Sequence, residues 1–408
     1  MKAVISPCRP TGTAEAPPSK SMAHRMLICA GLAGGTSLIR RVDLSEDIRA
    51  TMACLGAFGA ELSREGDAVR VTGHDPRDPV YAGSGEALFC RESGSTLRFM
   101  IPLCLLSGAP AVLCGSEKLL SRPLSVYETL CRERGIRFGR TEHSLRVEGR
   151  LAPGAYTVPG DVSSQFVSGL LFALPFLDGG SVIRLVPPVE SRPYIDMTVA
   201  CLRDFGAHVR WEDGLTLSVA GNASLMPRCA SVEGDFSNAA FFEAMNLAGG
   251  DVRVTGLPAE SAQGDRVYRA YFEKLRGGPA VLDVADCPDL APVLFTAAAL
   301  CHGGVFTGTA RLRYKESDRA AVMAEELAKC GIRLRIGENS VEVLPGEPHA
   351  PWEPLNGHND HRVVMALSVL CLRTGGEIDG AEAVKKSFPD YWNRLKGLGA
   401  EVEFHGMD

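Results

Sequence analysis

The sequence predicts a mixed α/β protein of two domains, each built from three copies of one unit. Six apolar helices recur along the chain, and each is followed by glycines, a short strand and a more polar second helix. The unit recurs at roughly 70 residues, which is longer than a solenoid repeat. At 408 residues the chain is also too long for one ordinary hydrophobic core, so its length favours two or three domains.

The first helix of each unit is apolar on nearly every side, as the segment Leu170 to Phe176 illustrates. A helix with this composition is buried on all its faces, so we expect the sheets to lie outside at least some of these helices. The predicted first helices are Ser21 to Leu32, Ser95 to Leu106, Phe166 to Leu177, Asn238 to Leu247, Leu290 to Leu300 and Val363 to Leu372.

The second helix of each unit is amphipathic, as in Arg319 to Leu327, and it ends at a glycine that begins another strand. The fourth copy is shortened near Leu275 to Gly278. The repeat count alone places the seam between the two halves at Gly221 to Arg228, where polar residues and proline interrupt the apolar pattern.

Composition excludes several classes of function. The formal charge of -6 and the pI near 5.9 argue against a nucleic-acid or membrane-surface protein, which would carry a basic excess. No run of about 20 apolar residues could span a bilayer, and the first residues lack the apolar core of a signal peptide. The 13 cysteines form no C-x-x-C pair, so we expect buried free thiols, no structural zinc and a cytoplasmic protein.

Basic residues recur at the starts of the predicted helices, most densely in the stretch Arg311 to Arg319. The plain interpretation of this stretch is a solvated helix cap supplied by Ser317 or Asp318. However, a Lys or Arg at a helix start opposes the helix dipole and would be misplaced as a cap. The pattern therefore predicts a cleft that binds anionic small molecules such as phosphates and carboxylates. Its basic residues are Lys20, Arg25, Arg122, Lys315, Arg319, Arg362 and Lys386.

Two acids beside helix starts, Asp289 and Glu316, are candidates for proton transfer, although Asp289 could equally be an N-cap. His361 is either a catalytic base or a support for its neighbours Asp360 and Arg362, and we favour the supporting role. Gly94 would let the backbone approach a ligand closely, but the spacing of a P-loop is absent.

Seven motifs in order give the chain a resemblance to the 3-phosphoshikimate 1-carboxyvinyltransferases, or EPSP synthases, over nearly its whole length. The motifs are Pro18-Ser19-Lys20-Ser21 with Arg25, Ser93-Gly94-Ser95-Thr96 with Arg98, Ser163-Ser164-Gln165-Phe166, Arg192-Pro193-Tyr194-Ile195-Asp196, Lys315-Glu316-Ser317-Asp318-Arg319, Asn359-Asp360-His361-Arg362 and Ser387-Phe388-Pro389-Asp390-Tyr391.

The resemblance implies two inside-out α/β barrel domains, each of three β-α-β-β-α-β repeats, with the active site in the cleft between them. It implies domain bounds of 15–228 for one domain and of 1–14 with 229–408 for the other. The implied reaction transfers the carboxyvinyl group of phosphoenolpyruvate to the 5-hydroxyl of shikimate 3-phosphate and releases phosphate through a tetrahedral ketal. No metal or cofactor is expected, the protein is expected to be a cytoplasmic monomer, and inhibition by glyphosate is expected from the family.

Matching positions carry the implied roles. Asp289 would be the base for the hydroxyl, with Lys315 beside it, Glu316 would pass a proton to the methylene carbon, and Lys20 would contact both substrates. The residues implied to hold shikimate 3-phosphate are Lys20, Ser21, Arg25, Ser163, Ser164, Gln165, Ser191, Tyr194, Asp289, Arg311 and Lys315. Those implied to hold phosphoenolpyruvate are Lys20, Gly94, Arg122, Gln165, Arg319, Arg362 and Lys386.

Two positions depart from the family pattern. Glu92 stands where many members have Asn, so it is left out of the predicted site, and Arg311 replaces an Asn that contacts the shikimate phosphate. The nearest alternative is the sister enzyme that transfers enolpyruvyl to UDP-N-acetylglucosamine, which normally has Lys-Asn near its start and a reactive loop cysteine. A third possibility is an RNA 3'-phosphate cyclase-like protein, but this acidic chain lacks the basic face expected for RNA binding. A regulator without catalysis is disfavoured by Asp289, Lys315 and Glu316.

Overall fold

The computed structural model describes residues 1–77 and 87–406 of the chain. It is mixed α/β, as predicted, and it divides into two compact units. One unit comprises Pro18–Glu233, and the other comprises Met1–Pro17 with Gly234–Asp408. Each unit has its own hydrophobic core.

The strands are short, and most contain three to six residues. In chain order they are β1 Lys2–Ile5, β2 Thr11–Glu15, β3 Gly35–Arg40, β4 Glu61–Glu65, β5 Ala68–Gly73, β6 Leu88–Phe89, β7 Ala111–Cys114, β8 Arg137–Arg140, β9 Ser144–Glu148, β10 Ala155–Pro159, β11 Ser181–Val186, β12 Val209–Trp211, β13 Thr216–Val219, β14 Cys229–Ser231, β15 Asp251–Thr255, β16 Ala280–Asp283, β17 Gly304–Thr307, β18 Leu334–Ile336, β19 Ser340–Val343, β20 Leu355–Asn356, β21 Gly376–Asp379 and β22 Val402–His405.

The helices alternate between the two kinds that the repeat predicts, with one extra short helix, α4. In chain order they are α1 Lys20–Gly31, α2 Glu46–Ala57, α3 Gly94–Cys104, α4 Glu117–Ser121, α5 Ser125–Glu133, α6 Ser164–Ala173, α7 Arg192–Asp204, α8 Phe236–Ala244, α9 Tyr268–Gly277, α10 Ala291–Leu300, α11 Arg319–Lys329, α12 His361–Thr374 and α13 Tyr391–Gly397. Most of the first helices begin one or two residues from the predicted start, because a Ser or Asp caps each of them just before the apolar run.

In its described part, the unit Pro18–Glu233 contains three four-stranded sheets that share one strand order. In each sheet the first two strands run parallel, and the third and fourth are antiparallel to their neighbours. The orders are β14-β3-β5-β4, β6-β7-β9-β8 and β10-β11-β13-β12. Three copies of one sheet pattern are what three repeats in this unit would produce.

The other unit contains two sheets with this same order, β16-β17-β19-β18 and β20-β21-β1-β22, and one two-stranded sheet in which β15 runs parallel to β2. Strand β15 follows α8, the first helix of the fourth copy. The shortening predicted near Leu275 therefore affects the strands of this copy, whereas its second helix α9 is complete.

Burial follows the predicted division of the helices. In α10 nearly every residue is buried. In α11 one side is buried, whereas Val322 on the other side is partly exposed. Strand β11 alternates buried and more exposed residues, so one face of its sheet packs on the core and the other faces outward. The prediction that the first helices are buried on every side is confirmed.

Glycines end two of these helices with a backbone that other residues rarely adopt. Gly303, just after α10, has φ of +74°, and Gly375, just after α12, has φ of +70°. Glycine adopts positive φ without steric cost, so at both positions the chain can leave the helix and turn into the strand that follows.

Most of the 13 cysteines are buried free thiols, as predicted, but Cys229 is exposed on the short strand β14. Among the described residues no helix is both long enough and apolar enough to cross a membrane.

Candidate active site

Polar side chains cap the first helices at several of the loops that the sequence singles out. Ser19, Ser93, Ser163, Asp235 and Asp360 each accept a hydrogen bond from a backbone N–H in the first turn of their helix. Asp318 caps α11 in the same way, through Ala321 N. The capping interpretation is thus correct for these residues, and the basic residues beside them need a separate explanation.

Asp289 lies at the centre of a cluster of cations in the unit Met1–Pro17 with Gly234–Asp408. Its Oδ1 accepts hydrogen bonds from Lys315 Nζ at 3.2 Å and Arg319 Nη1 at 2.9 Å, and its Oδ2 accepts one from Arg362 Nη2 at 3.1 Å. Asp289 belongs to the 3-10 turn Pro288–Leu290, and the N-cap position of α10 is Leu290. Asp289 therefore does not occupy the N-cap position of this helix.

Arg319 joins this cluster to two further carboxylates. Its Nη2 donates to Glu316 Oε2 at 2.9 Å, and its Nε donates to Asp360 Oδ2 at 2.9 Å. The side chains of Arg319 and Asp360 are 1% and 0% exposed, so this ion pair is buried. Burial acts to raise the pKa of Asp360, but the charges of Arg319 and His361 outweigh it and hold that pKa below its usual value.

Lys315 is the least buried cation around Asp289, with 30% of its side chain exposed. Loss of hydration lowers the pKa of Lys315 below its usual 10.5, the Asp289 carboxylate opposes this shift, and the charges of Arg319 and Arg311 reinforce it. Lys315 is therefore more easily deprotonated than an ordinary lysine, which suits a group placed at a proton-transfer step.

The other predicted residues of this unit lie around the cluster. Arg311 donates from Nη2 to the Ala285 carbonyl at 2.8 Å, and Lys386 donates from Nζ to the Asn359 carbonyl at 2.8 Å. His361 Nδ1 lies 3.9 Å from Asp360 Oδ1 and is buried. This position beside Asp360 fits the supporting role rather than that of a base that contacts substrate.

In the unit Pro18–Glu233, the buried guanidinium of Arg25 bonds to two predicted residues, Ser21 and Tyr194, and to Thr198. Its Nη1 donates to the Ser21 carbonyl at 2.7 Å, its Nη2 to the Tyr194 carbonyl at 2.8 Å and its Nε to Thr198 Oγ1 at 2.8 Å. Burial lowers the pKa of Arg25 to about 10, so it stays protonated at neutral pH. These bonds use much of its donor capacity within the protein, which the sequence does not predict.

Gly94 lies where two guanidinium groups and an amide converge. A Cβ atom on Gly94 would come within 2.9 Å of Arg122 Nη1, 3.1 Å of Arg98 Nη1 and 3.8 Å of Gln165 Oε1. Arg98 Nη1 donates to that Gln165 oxygen at 2.6 Å, and Gln165 Nε2 donates to Ser95 Oγ at 2.9 Å. Arg122 Nε is buried without a hydrogen-bond partner among the described residues, so this place combines positive charge with unused donor capacity.

Lys20, at the start of α1, donates to Asp47 Oδ2 at 2.8 Å, and both side chains are mostly buried. The remaining predicted residues of this unit occur at helix starts. Ser163 caps α6, Ser164 is its first residue, and Ser191 precedes α7 with φ of +56°. The structure thus groups Ser21, Arg25 and Tyr194, and separately Gly94, Arg122 and Gln165.

The arrangement in each unit has a clear chemical capacity. The Asp289 cluster combines a carboxylate that can accept a proton, a second acid at Glu316, and three cations that would stabilise negative charge. The Gly94 site offers two guanidinium groups at the start of α3, which is suited to a phosphate or carboxylate.

A model of the EPSP synthase (3-phosphoshikimate 1-carboxyvinyltransferase) family matches residues 6–395 of the chain. The chain belongs to the EPSP synthase family. A 3-phosphoshikimate 1-carboxyvinyltransferase from Clostridium acetobutylicum is 36% identical, over 98% of this chain and 97% of the relative.

Solved structures agree with the family assignment. An EPSP synthase from Acinetobacter baumannii matches with a TM-score of 0.78 and 25% identity, over 99% of this chain and 100% of the other. The enolpyruvyl transferase NikO from Streptomyces tendae matches with a TM-score of 0.77 but 16% identity, over 98% of each chain, and this likeness shows the fold alone.

Three residues of this EPSP synthase family member take part in the clusters but are missing from the site predicted from the sequence. Arg98 holds Gln165, Asp360 holds Arg319, and Asp47 holds Lys20. Arg98 and Asp360 belong to the motifs that carry the family resemblance, and Asp47 lies in the first turn of α2. These placements are the signal that could have found them. Their partners are distant in sequence, so the pairings themselves need the fold.

One further group could in principle hold a metal ion. Ligand atoms of Glu325, Glu326 and His358 lie within 4.8 Å of one another. However, Lys329 Nζ lies 3.0 Å from Glu326 Oε2, and His358 Nε2 lies 2.8 Å from Glu326 Oε1. The lysine charge already neutralises this carboxylate, so the group is better explained as a buried ion pair.

Proposed function

We propose that this chain transfers the carboxyvinyl group of phosphoenolpyruvate to the 5-hydroxyl of shikimate 3-phosphate and releases phosphate, as a 3-phosphoshikimate 1-carboxyvinyltransferase of the shikimate pathway to aromatic amino acids. Family membership supports this choice of substrates. The observation that supports the chemistry most is the Asp289 carboxylate held by Lys315, Arg319 and Arg362, with Glu316 bonded to the same Arg319.

The reaction has two steps, addition and elimination, and each step needs two proton transfers. In the addition step the 5-hydroxyl oxygen bonds to C2 of phosphoenolpyruvate, Asp289 takes the hydroxyl proton, and Glu316 protonates the methylene carbon to a methyl group. The product of this step is a tetrahedral ketal. In the elimination step Glu316, now a carboxylate, takes a proton back from the methyl group, and the electrons of that C–H bond form the C=C bond. The C2–phosphate oxygen bond breaks, and the leaving phosphate takes the proton that Asp289 holds. Arg319 bonds to both acids, so in this proposal it keeps them in fixed relation during the two steps.

Charge supports the assignment of the binding residues. Each substrate carries a phosphate and a carboxylate, and both need guanidinium or ammonium partners. In this proposal Arg122 and the N-terminus of α3 at Gly94 receive phosphoenolpyruvate with Lys20, Gln165, Arg319, Arg362 and Lys386. Shikimate 3-phosphate is held by Ser21, Arg25, Ser163, Ser164, Gln165, Ser191 and Tyr194, with Arg311, Lys315 and Lys20 adding charge.

The proposal includes the finer architecture of the family. The domains correspond to the units Pro18–Glu233 and Met1–Pro17 with Gly234–Asp408, a few residues away from the expected bounds of 15–228 and of 1–14 with 229–408, because β14 pairs with β3. In this proposal each domain is an inside-out barrel of three β-α-β-β-α-β repeats, and both domains contribute residues to one reaction. The repeated strand order of the five four-stranded sheets and the burial of the first helices support this architecture. We also propose that the enzyme works as a monomer in the cytoplasm without a cofactor.

Phosphate release tests the proposed function directly. The purified protein is mixed with phosphoenolpyruvate and either shikimate 3-phosphate or UDP-N-acetylglucosamine, and released phosphate is measured over time. The expected result is release with shikimate 3-phosphate and none above background with UDP-N-acetylglucosamine. Release with the nucleotide sugar alone would replace the proposal by the sister activity, and release with neither acceptor would overturn it.

A further inference from the structure

A chain of buried hydrogen bonds connects the first three helices of the unit Pro18–Glu233. His24 Nδ1 lies 2.7 Å from Thr51 Oγ1, Thr51 Oγ1 lies 2.7 Å from Thr96 Oγ1, and Thr96 Oγ1 donates to Ser93 Oγ at 2.8 Å. All four side chains are at most 1% exposed. Because no bulk water reaches these groups, each hydrogen bond in the chain matters for the stability of its partners.

The chain ends at the residue that starts α3. Ser93 is the N-cap of this helix, and its Oγ also accepts a hydrogen bond from Thr96 N at 3.2 Å. Gly94 follows directly and faces Arg122 and Arg98. The hydrogen-bond chain therefore holds the turn that presents Gly94.

Counting hydrogens fixes the direction of the whole chain. A hydroxyl has one hydrogen to donate, and Thr96 uses its hydrogen on Ser93. Thr96 must then accept from Thr51, and Thr51, with its own hydrogen used, must accept from His24. The neutral imidazole therefore carries its proton on Nδ1, which leaves Nε2 as a bare acceptor.

Charge around His24 agrees with a neutral ring. Burial, followed by the charges of Lys20 and Arg25, lowers the pKa of His24 well below its usual 6.5. Nε2 has no hydrogen-bond partner among the described residues, so a proton there would be a buried charge without compensation. The direction of the chain is thus stable through the neutral pH range.

Helix α2 contacts helix α1 at two positions that lie one helical turn apart. Asp47 of α2 bonds to Lys20 of α1, and Thr51, four residues after Asp47, bonds to His24, four residues after Lys20. Since residues four apart lie on the same face of a helix, one face of α2 contacts one face of α1. Thr51 then reaches across to α3, so α2 sets the position of Lys20 relative to the turn at Gly94.

We propose that His24, as the Nδ1–H tautomer, is a positioning residue for phosphoenolpyruvate binding, and that it acts through Thr51 and Thr96 on the turn Ser93-Gly94. This inference rests on the proposed function, which assigns Lys20 and Gly94 to phosphoenolpyruvate. His24 itself contacts neither substrate in this proposal.

The tautomer is measured first, on the unmodified protein. The nine histidines are labelled with 15N, the ring signals are recorded by two-bond proton–nitrogen correlation, and the signal of His24 is assigned from its loss in His24→Asn. The expected result is the Nδ1–H pattern at neutral pH. An Nε2–H pattern for His24 would overturn the inference, and this result does not depend on whether the enzyme is active.

The matched pair Thr51→Val and Thr51→Ser then tests the consequence for binding. Val removes the hydroxyl at nearly constant volume, whereas Ser keeps it. We expect Thr51→Val to raise the KM for phosphoenolpyruvate about tenfold, with the KM for shikimate 3-phosphate and kcat within about twofold, because the two buried hydrogen bonds of Thr51, to His24 and to Thr96, are lost and no longer support the turn at Gly94. Thr51→Ser should behave like the unmodified enzyme.

Two outcomes would contradict the positioning role. One is an unchanged KM for phosphoenolpyruvate in Thr51→Val, and the other is an equal rise in the KM values for both substrates. If Thr51→Val does not fold, two variants of His24 replace it. His24→Asn keeps a hydrogen-bond donor near the position of Nδ1, and His24→Leu removes it, so the positioning role predicts a raised KM for phosphoenolpyruvate only in His24→Leu. Absence of phosphate release by the unmodified enzyme would instead overturn the proposed function and leave the tautomer result standing.

Discussion

At the scale of single residues, the main feature is the number of charged side chains that bond to one carboxylate. Asp289 accepts hydrogen bonds from three cations, and Arg319 bonds to three carboxylates. In a buried ion pair the cost of removing both charges from water is offset only while both partners are present. Removing one partner therefore lowers the free energy of unfolding by more than the net contribution of the pair to stability.

Asp360→Asn tests this view of the buried pair. The substitution leaves Arg319 with an uncompensated charge at that position, so we expect the free energy of unfolding to fall by about 3 kcal/mol at pH 7. Denaturant unfolding measures the change. Glu273→Gln, which removes an exposed partner of Arg276 on α9, is the matched control and should change stability by less than about 0.5 kcal/mol.

The effect of Asp360→Asn should also depend on pH. Because the folded protein holds the pKa of Asp360 below its usual 3.8, the carboxylate contributes stability that is complete above that value and is lost as the pH falls through the lowered pKa. The stability difference between the two proteins should thus be greatest at neutral pH and shrink at strongly acid pH. A difference that grows on acidification would contradict the direction of the shift.

Lys315 leads to a second prediction about pH. Its lowered pKa means that its positive charge is lost at a lower pH than in an ordinary lysine, so kcat/KM should decline on the alkaline side as Lys315 deprotonates. In Lys315→Arg the charge persists, and the alkaline decline should move to higher pH even though the rate is reduced. If Lys315→Arg has measurable activity and its kcat/KM declines at the same alkaline pH as that of the unmodified enzyme, another group causes the decline.

At the scale of the elements, helix starts carry most of the predicted site. Ser93, Asp318 and Asp360 are caps, and cations lie beside the helices that they begin. The sequence predicts these starts well because capping residues and apolar runs are local signals. It does not predict that the Arg25 guanidinium is bonded to carbonyls of α1 and α7, since Tyr194 is distant in sequence.

Gly94→Ala tests the space at the start of α3. A methyl group there would lie within 3.1 Å of both Arg122 Nη1 and Arg98 Nη1, so one guanidinium must move. We expect the KM for phosphoenolpyruvate to rise about tenfold or more. Gly56→Ala on α2, where a Cβ atom meets nothing within 4 Å, is the control and should leave both KM values unchanged. A normal KM for phosphoenolpyruvate in Gly94→Ala would contradict the assignment of Gly94.

At the scale of the whole molecule, repetition explains why the sequence is so informative. The six pairs of helices and five sheets of one strand order found over residues 1–77 and 87–406 follow from a unit whose glycines and apolar runs recur in the chain. The mixed α/β class and the burial of helices such as α10 were therefore predictable. The shortening of the fourth copy was predictable too, but the pairing of β2 with β15 was not, because these two strands lie far apart in the sequence.

Long-range pairs mark the limit of prediction for the candidate site. Asp289 and Glu316 are identifiable from their loops, but the role of Asp360 depends on Arg319, 41 residues away, and that of Arg98 on Gln165, 67 residues away. Such pairings are decided by packing of elements, which a local pattern does not contain.

Turnover of Asp289→Asn and Glu316→Gln at saturating phosphoenolpyruvate and shikimate 3-phosphate tests the central claim most directly. Both variants keep the size of the side chain and remove the proton-transfer group, so each should reduce kcat at least about a hundredfold, while Glu273→Gln keeps the normal rate. Near-normal rates in both site variants would contradict the proposal that these two acids transfer the protons of the reaction.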